Sequence, residues 1–197
     1  MTPQAESILE LFRSRGAYLE GHFRLTSGLH SSQYLQCALV LQYPDVAEKL
    51  GQKLAAELQR ETGATIQLVV SPALGGLIIG HEVARALGTR FLFLERDPSS
   101  KKMVLRRGFG ITPGETAVVV EDVITTGGTT YDVVEVLREA GAKVLAAGSI
   151  IDRSGGRADA GVPRVALATL TTATHHAEAC PLCAQGIPVV KPGSRPS

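Results

Sequence analysis

Cysteine is scarce in this sequence, and long apolar runs are absent. The chain has three cysteines in 197 residues, too few for a disulfide framework. The longest apolar runs, such as 117–120 and 144–147, are far too short to cross a bilayer. The first residues contain no basic region followed by an apolar stretch, so no signal peptide is expected. These absences predict a cytoplasmic protein that does not bind membranes.

An excess of charge of one sign is also lacking. Twenty lysines and arginines balance nineteen acids, giving a net charge of +1. A nucleic-acid surface normally needs a basic excess, so no nucleic-acid partner is expected. The chain also lacks Gly-x-x-x-x-Gly-Lys-Ser/Thr, and no Gly-x-Gly-x-x-Gly follows a strand. A P-loop nucleotidase and a dinucleotide-dependent enzyme are therefore both disfavoured.

The alternation of apolar and polar segments predicts an α/β fold. Apolar runs typical of buried parallel strands occur at 66–70, 91–94, 117–120, 143–151 and 165–170. Amphipathic segments between several of these runs predict helices, one of which begins at Pro44 and ends at Gly63. This order favours a doubly wound, mainly parallel sheet flanked by helices. The polar stretch at 95–113 is predicted to be a long functional loop.

We expect one domain over residues 1–197. Its parts are small hood elements over about 1–40, the α/β core over about 41–172 and a C-terminal tail over about 173–197. In such sheets, ligands bind beyond the carboxyl ends of the strands.

The segment 118–130 contains the most informative chemistry. A buried strand ends in Glu121 and Asp122, which need partners at the end of that strand. The residues that follow supply hydroxyl groups and closely approachable backbone amides ahead of a helix N-terminus; they are Thr125, Thr126, Gly127, Gly128 and Thr129. Acceptors for sugar hydroxyls therefore stand beside donors for a phosphate, which fits a phosphorylated ribose. A solvent-facing acidic pair before a polar turn is the alternative interpretation.

This segment resembles the diphosphoribosyl-pyrophosphate signature of type I phosphoribosyltransferases. The resemblance implies that Glu121 and Asp122 hold the ribose 2′- and 3′-hydroxyls. It also implies that residues 125–129 wrap the 5-phosphate.

Further stretches resemble the orotate phosphoribosyltransferases within that family. The N-terminal stretch implies a segment that covers the base, with Thr26, Ser27, Gly28 and Tyr34. Residues 71–76 resemble the pyrophosphate loop, with Ala73, Leu74 and Gly75. Many members have lysine where this chain has Thr26 and Gly75.

The stretch 96–107 resembles the family's mobile catalytic loop, which closes over a neighbouring subunit's site. The usual loop histidine is missing. The cations implied for catalysis are Arg96, then Lys101 or Lys102, with Arg106 or Arg107 in place of the histidine. After the strand at 143–151, Arg153 matches an arginine near the orotate carboxylate.

The resemblance implies transfer of a phosphoribosyl group to orotate with magnesium on the pyrophosphate, in a homodimer. No covalent nucleophile is required, and Asp122 is counted with the loop cations as catalytic. A purine or uracil phosphoribosyltransferase and a non-catalytic regulatory protein with the same fold remain alternatives.

The C-terminal tail raises a separate question about metal binding. His175, His176, Cys180 and Cys183 lie close together in the sequence, and Cys-x-x-Cys is a common zinc-binding spacing. A structural zinc site usually shows two well-spaced pairs, however. We therefore interpret the cysteines as a reduced thiol turn and predict no protein-held metal.

Overall fold

The computed structural model describes residues 2–25 and 28–192. Along the chain the helices are α1 (Pro3–Ser14), α2 (Ala38–Leu41), α3 (Pro44–Thr62), α4 (Gly76–Leu87), α5 (Gly128–Glu139) and α6 (Pro181–Ala184). The strands are β1 (Tyr18–Arg24), β2 (His30–Leu35), β3 (Leu68–Pro72), β4 (Arg90–Arg96), β5 (Met103–Leu105), β6 (Thr116–Ile124), β7 (Lys143–Asp152), β8 (Arg164–Thr169) and β9 (Thr174–His175).

A six-stranded sheet forms the centre of the molecule. Its order is β5-β4-β3-β6-β7-β8, and every neighbouring pair is parallel except β4 and β5. Alternate residues of a strand face opposite sides of a sheet. Val118 and Val120 of β6 accordingly belong to the core cluster that includes residues of α1, α3 and α4, whereas Ala117 and Val119 belong to the cluster that includes residues of α5. The predicted doubly wound, mainly parallel sheet with helices on both faces is confirmed.

Two boundaries differ from the sequence-based expectation. The stretch 95–113 is not one long loop, because β5 folds back on β4 as an antiparallel hairpin in which Leu94 faces Leu105. Helix α5 begins at Gly128, so residues 125–129, which were expected to lie ahead of the helix, include the start of its first turn. In both places the residues are mainly polar, so the sequence suggested a loop where the backbone forms a regular strand or helix.

A second, antiparallel sheet of order β1-β2-β9 is formed by the N-terminal segment and the tail. Strand β1 has an irregular register between Glu20 and Phe23. On its other side, the amide of Arg24 donates to the Val190 carbonyl at 2.8 Å, and the Val190 amide donates to the His22 carbonyl at 2.8 Å. The tail therefore extends along both β1 and β2.

Glycines let α4 lie unusually close to its neighbours. A Cβ atom added at Gly51 of α3 would come within 2.8 Å of the backbone carbon of Glu82 on α4. One added at Gly80 would overlap the Ser71 hydroxyl and come within 2.6 Å of the Phe91 ring. Helix α4 is thus pressed against α3 on one side and against the sheet on the other.

None of the helices in the described ranges combines the length and apolar character needed to cross a membrane.

Candidate active site

The two acids of β6 lie at the carboxyl edge of the central sheet, where parallel strands place ligands. Glu121 accepts a hydrogen bond from the Thr130 hydroxyl at 2.5 Å, and Asp122 accepts one from the Val123 amide at 2.9 Å. No cation forms an ion pair with either acid in the described part of the chain. Two nearly buried carboxylates therefore share few donors, which is an unusual arrangement for a purely structural role.

The pKa of Glu121 is raised to about 7, mainly by burial and in part by the charge of Asp122, while the Thr130 hydroxyl and Arg96 oppose the shift. Burial also raises the pKa of Asp122, against the hydrogen bond from Val123. Desolvation is the largest cause for both acids. New donors, such as sugar hydroxyls, would stabilise the charged forms.

An anion cradle follows the acids directly. Gly127 has φ of +90° and caps α5, whose first intrahelical bond runs from the Tyr131 amide to the Gly127 carbonyl at 2.8 Å. The amides of Gly128, Thr129 and Thr130 are consequently in the first turn, where a helix leaves its N–H groups without intrahelical partners. Such a turn attracts phosphate through these donors and the helix dipole.

The backbone at Gly127 also has a close neighbour. A Cβ atom there would overlap the carbonyl of Asp159, so both the positive φ and this contact require glycine. Thr125 and Thr126 are exposed beside it. The predicted phosphate-binding residues, 125–129, are thus brought together at one place.

The loop before α4 lies against Asp122. A Cβ atom at Gly75 would come within 2.6 Å of the Asp122 carboxylate, and one at Gly76 within 2.9 Å of the Val120 carbonyl. The peptide bond between Ala73 and Leu74 is cis, and the Leu74 side chain is 82% exposed. The Ala73 amide already donates to the Leu94 carbonyl at 2.8 Å. The predicted pyrophosphate loop therefore adjoins Asp122.

A tyrosine and an arginine form the side of the site nearest the small sheet. Tyr34 on β2 interacts electrostatically with Asp122 and Arg153, and burial is the main reason that its pKa is raised. Burial also lowers the pKa of Arg153. The Arg153 Nε is buried without a hydrogen-bond partner in the described residues. An orphan guanidinium donor of this kind suits a planar carboxylate.

The β4–β5 hairpin contains the five candidate cations of the predicted catalytic loop. Arg96 lies 3.4 Å from Asp132 of α5 and is close enough to lower the pKa of Glu121. Arg106 pairs with Asp97, and Arg107 forms two hydrogen bonds with Glu95 at 2.7 and 2.9 Å. Two of the arginines are therefore held by carboxylates of the hairpin itself.

The two lysines occupy the exposed turn of the hairpin. Lys101 has φ of +59°, and the turn is closed by Asp97, which accepts hydrogen bonds from the amides of Ser99 and Ser100 at 3.0 and 2.8 Å. Arg96 is the hairpin cation whose charge acts on Glu121, while Lys101 and Lys102 are exposed to solvent.

Comparison with known proteins identifies the family. Residues 42–165 match the model of the phosphoribosyl transferase domain. The chain is 54% identical over 190 residues to the orotate phosphoribosyltransferase of Pelotomaculum thermopropionicum, covering 96% of this chain and 97% of that protein. It is 50% identical to the enzyme of the same name from Desulforamulus reducens, with the same coverage. The chain belongs to the orotate phosphoribosyltransferase family.

Solved structures of orotate phosphoribosyltransferases share this fold. The Aeropyrum pernix enzyme superposes with a TM-score of 0.66 at 30% identity, covering 83% of this chain and 93% of that one. An adenine phosphoribosyltransferase also superposes, with a TM-score of 0.62 at 17% identity over 81% of this chain and 98% of its own. The fold alone therefore does not select the base.

Part of the segment that is predicted to cover the base lies outside the described residues, namely Thr26 and Ser27. Gly28, beside them, has φ of +84°, which requires glycine. The roles expected for these three residues stay predictions.

Three residues of the site were not singled out in the sequence. Thr130 supports Glu121, and the buried Cys37 thiol lies 3.9 Å from the Asp122 carbonyl. Asp152, directly before Arg153, pairs with Arg164 at 2.8 Å and accepts a hydrogen bond from the Ser154 amide at 2.7 Å. An acid next to a strand-end arginine was a usable signal for Asp152, whereas nothing in the sequence indicated Cys37.

Proposed function

We propose that this protein transfers the 5-phosphoribosyl group from diphosphoribosyl pyrophosphate to orotate, giving orotidine 5′-monophosphate and pyrophosphate in de novo pyrimidine synthesis. The observation that carries the proposal is the largely buried acidic pair of β6 shortly before the α5 N-terminus, in a chain that matches orotate phosphoribosyltransferases over almost its whole length.

The first part of the proposal concerns the sugar phosphate. Glu121 and Asp122 would accept hydrogen bonds from the ribose 2′- and 3′-hydroxyls, because these are donors that the buried carboxylates lack. The first turn of α5 and its threonines would hold the 5-phosphate. Ala73, Leu74 and Gly75 would line the path of the leaving pyrophosphate, since their loop adjoins Asp122.

The second part concerns the base. Arg153 would donate to the orotate carboxylate, which would satisfy its buried Nε. Tyr34 would border the base from β2, and Thr26, Ser27 and Gly28 would cover it. Adenine and uracil have no carboxylate, so they would leave the arginine without its partner.

The reaction then depends on positioning and charge. As the bond from the anomeric carbon to pyrophosphate breaks, positive charge develops on the sugar and negative charge on the leaving group. Buried carboxylates beside the ribose stabilise the former, and the hairpin cations Arg96, Lys101 and Lys102 would neutralise the latter. Exclusion of water by the hairpin would protect the cationic sugar from hydrolysis.

Magnesium fits this edge as a substrate-bound ion. Glu121 and Asp122 offer hard oxygen ligands, but no third metal-binding side chain joins them in the described ranges. Magnesium retains water and phosphate ligands readily, so the pyrophosphate and water would hold it with little ligation by the protein. The ion would supply charge neutralisation on the leaving group.

The proposal includes a homodimer in which the hairpin of one subunit approaches the site of the other. The exposed lysines of the hairpin turn, which make no ion pair in the described residues, are free to contact a substrate bound in the other subunit.

A cytoplasmic location stays a prediction.

The test follows orotate absorbance with purified protein, diphosphoribosyl pyrophosphate and magnesium, with adenine, hypoxanthine and uracil assayed beside it by product chromatography. We expect consumption of orotate only when both substrates are present, and a yield of one pyrophosphate for each orotidine 5′-monophosphate. Turnover of another base in place of orotate would contradict the base assignment. Binding of the sugar pyrophosphate without turnover of any base would favour a regulatory protein.

A further inference from the structure

Four potential metal ligands meet in the small sheet, away from the acids of β6. They are His22 on β1, His30 on β2, and Cys180 and Cys183 from the C-terminal tail, and their ligand atoms all lie within 4.8 Å of one another. His22, His30 and Cys180 are buried, while Cys183 is exposed. The cluster therefore joins residues that lie about 150 positions apart in the sequence.

Three of the distances within the cluster match the edges of a tetrahedral zinc site. Zinc bonds of about 2.05 Å to nitrogen and about 2.3 Å to sulfur place neighbouring nitrogen and sulfur ligands about 3.5 Å apart. The Cys180 and Cys183 sulfurs lie 3.5 and 3.6 Å from His22 Nε2, and the Cys183 sulfur lies 3.3 Å from His30 Nδ1. The two histidine nitrogens are 2.8 Å apart, about 0.5 Å closer than the corresponding tetrahedral edge, a difference that small ring rotations would remove.

The tautomer of His22 also suits this side chain to bind a metal through Nε2. Its Nδ1 lies 2.7 Å from the Ile187 carbonyl oxygen, which can only accept, so Nδ1 must carry the proton. In the neutral ring, Nε2 then presents its lone pair to the cluster. A backbone carbonyl that fixes the tautomer in this way is the usual support of a metal-bound histidine.

We propose that His22, His30, Cys180 and Cys183 form a structural zinc site. Two thiolates and two imidazoles in a closed tetrahedral set select zinc over magnesium or calcium, which prefer oxygen ligands. With all four positions filled by protein, the ion has no open position for catalysis. The site is independent of the proposed magnesium and of the proposed function.

The histidines of this site are not those that the sequence placed next to the cysteines. His175 lies in β9, where its backbone pairs with His30, and His176 is exposed before the short turn at Ala177–Ala179. Neither belongs to the cluster in the described chain. The second ligand pair is instead contributed by the β1–β2 hairpin, which the local spacing could not indicate.

Zinc bound to His22 and His30 would fix the positions of the two strands on either side of the connection between β1 and β2. His22 and His30 flank residues 23–29, the stretch that contains the predicted base-covering residues. The two cysteines hold the tail against the same hairpin, next to the Val190 contact with β1. Metal binding would consequently order the small sheet, because the four ligands come from three separate chain segments.

The first experiment measures metal in the full-length protein purified without a histidine tag and without chelators. Elemental analysis should give about one zinc per chain, and native mass spectrometry should show the same adduct. Replacement of zinc by cobalt(II) should give visible bands typical of a tetrahedral ion, with thiolate-to-cobalt charge transfer in the near ultraviolet. These readouts do not depend on enzymatic activity.

The matched variants are Cys183→Ser and His176→Gln. The first removes an exposed ligand with little change in volume, and it should lower zinc content at least about tenfold and remove the cobalt charge transfer. The second changes an exposed histidine outside the cluster, and it should keep one zinc per chain. A melting temperature that falls on chelation in the wild type, but not in Cys183→Ser, would support the structural role.

Several results would overturn the proposal. They are zinc below about one tenth per chain after growth with added zinc, no tetrahedral cobalt spectrum, or zinc retained fully in Cys183→Ser. A Cys180–Cys183 disulfide found by mass spectrometry in protein kept under reducing conditions would overturn it as well. If Cys183→Ser does not fold, the elemental and cobalt measurements on the wild type decide alone.

Discussion

The acidic end of β6 and the β4–β5 hairpin differ in the burial of their charged side chains and in whether those side chains form ion pairs. In the hairpin, Arg107 and Arg106 are exposed and paired with Glu95 and Asp97. At β6 the acids are largely buried and make no ion pair in the described chain; Glu121 accepts a hydrogen bond from one hydroxyl, and Asp122 accepts one from one amide. Surface pairs contribute little to stability, whereas buried charge without partners is destabilising. The acids are therefore suited to a ligand, and the hairpin can change its contacts with little loss of stability.

The largest effect is expected for Asp122→Asn. Loss of the charged acceptor for the ribose should lower kcat/KM by about 10- to 150-fold, since a hydrogen bond to a charged group is worth about 1.5–3 kcal/mol. The melting temperature should not fall, because burial already disfavours the charged form of Asp122. Steady-state kinetics and thermal unfolding measure both. The exposed Asp45→Asn on α3 is the control; equal losses in both variants would contradict the role.

Glu121→Gln should reveal the energetic consequence of burial. The pKa of Glu121 is raised from 4.5 to about 7 in the folded protein, so the wild type should lose stability as the pH rises between these values. That interval corresponds to about 3 kcal/mol at most. Glutamine does not ionise and keeps an acceptor for Thr130, so the variant should be more stable than the wild type above pH 7 and similar to it below pH 4.5.

Chemical denaturation at several pH values measures this difference. A stability gap between wild type and Glu121→Gln that does not change with pH would show that the carboxyl group is not desolvated in solution. The variant should still lose activity, because its amide accepts ribose hydroxyls less strongly than a carboxylate.

Arg153→Ala tests the base side of the site. We expect KM for orotate to rise by about 10- to 100-fold, because a charge-assisted contact to the carboxylate is lost. KM for diphosphoribosyl pyrophosphate should change little. Arg138→Ala, which removes an exposed arginine of α5 paired with Glu135, is the control. A parallel rise in both KM values would indicate a general distortion of the site.

The smallest effect is expected for the hairpin pair. Glu95→Gln and Arg107→Gln should each change the melting temperature slightly, and the double variant should show almost additive effects that vanish at high salt. Both side chains are partly solvated. A strong coupling energy between Glu95 and Arg107 that does not change with salt would contradict the view that the ion pairs of the hairpin contribute little to stability.

The candidate site could be located from the sequence because its signal is local. In 118–130 an apolar strand, two acids and a glycine-rich turn are contiguous, and the fold needs only to preserve their order. The zinc cluster could not be predicted in this way, since His22 and Cys180 are joined only by the pairing of separate segments. Strand β5 was missed for another reason. Met103–Leu105 is only three residues long and lies among charged residues, so its composition does not indicate a strand. The strand is recognised only by its backbone pairing with β4.

The glycine contacts of α4 have a consequence for changing this enzyme by mutation. The helix starts at the loop that adjoins Asp122, yet its position is fixed by Gly51 on the neighbouring helix and by Gly80 over Ser71. A single methyl group at either glycine, remote from any substrate, would shift the whole helix as one piece and move the loop with it. Substitutions at these packing positions should therefore alter substrate use, or abolish activity, as readily as substitutions of the residues that line the site.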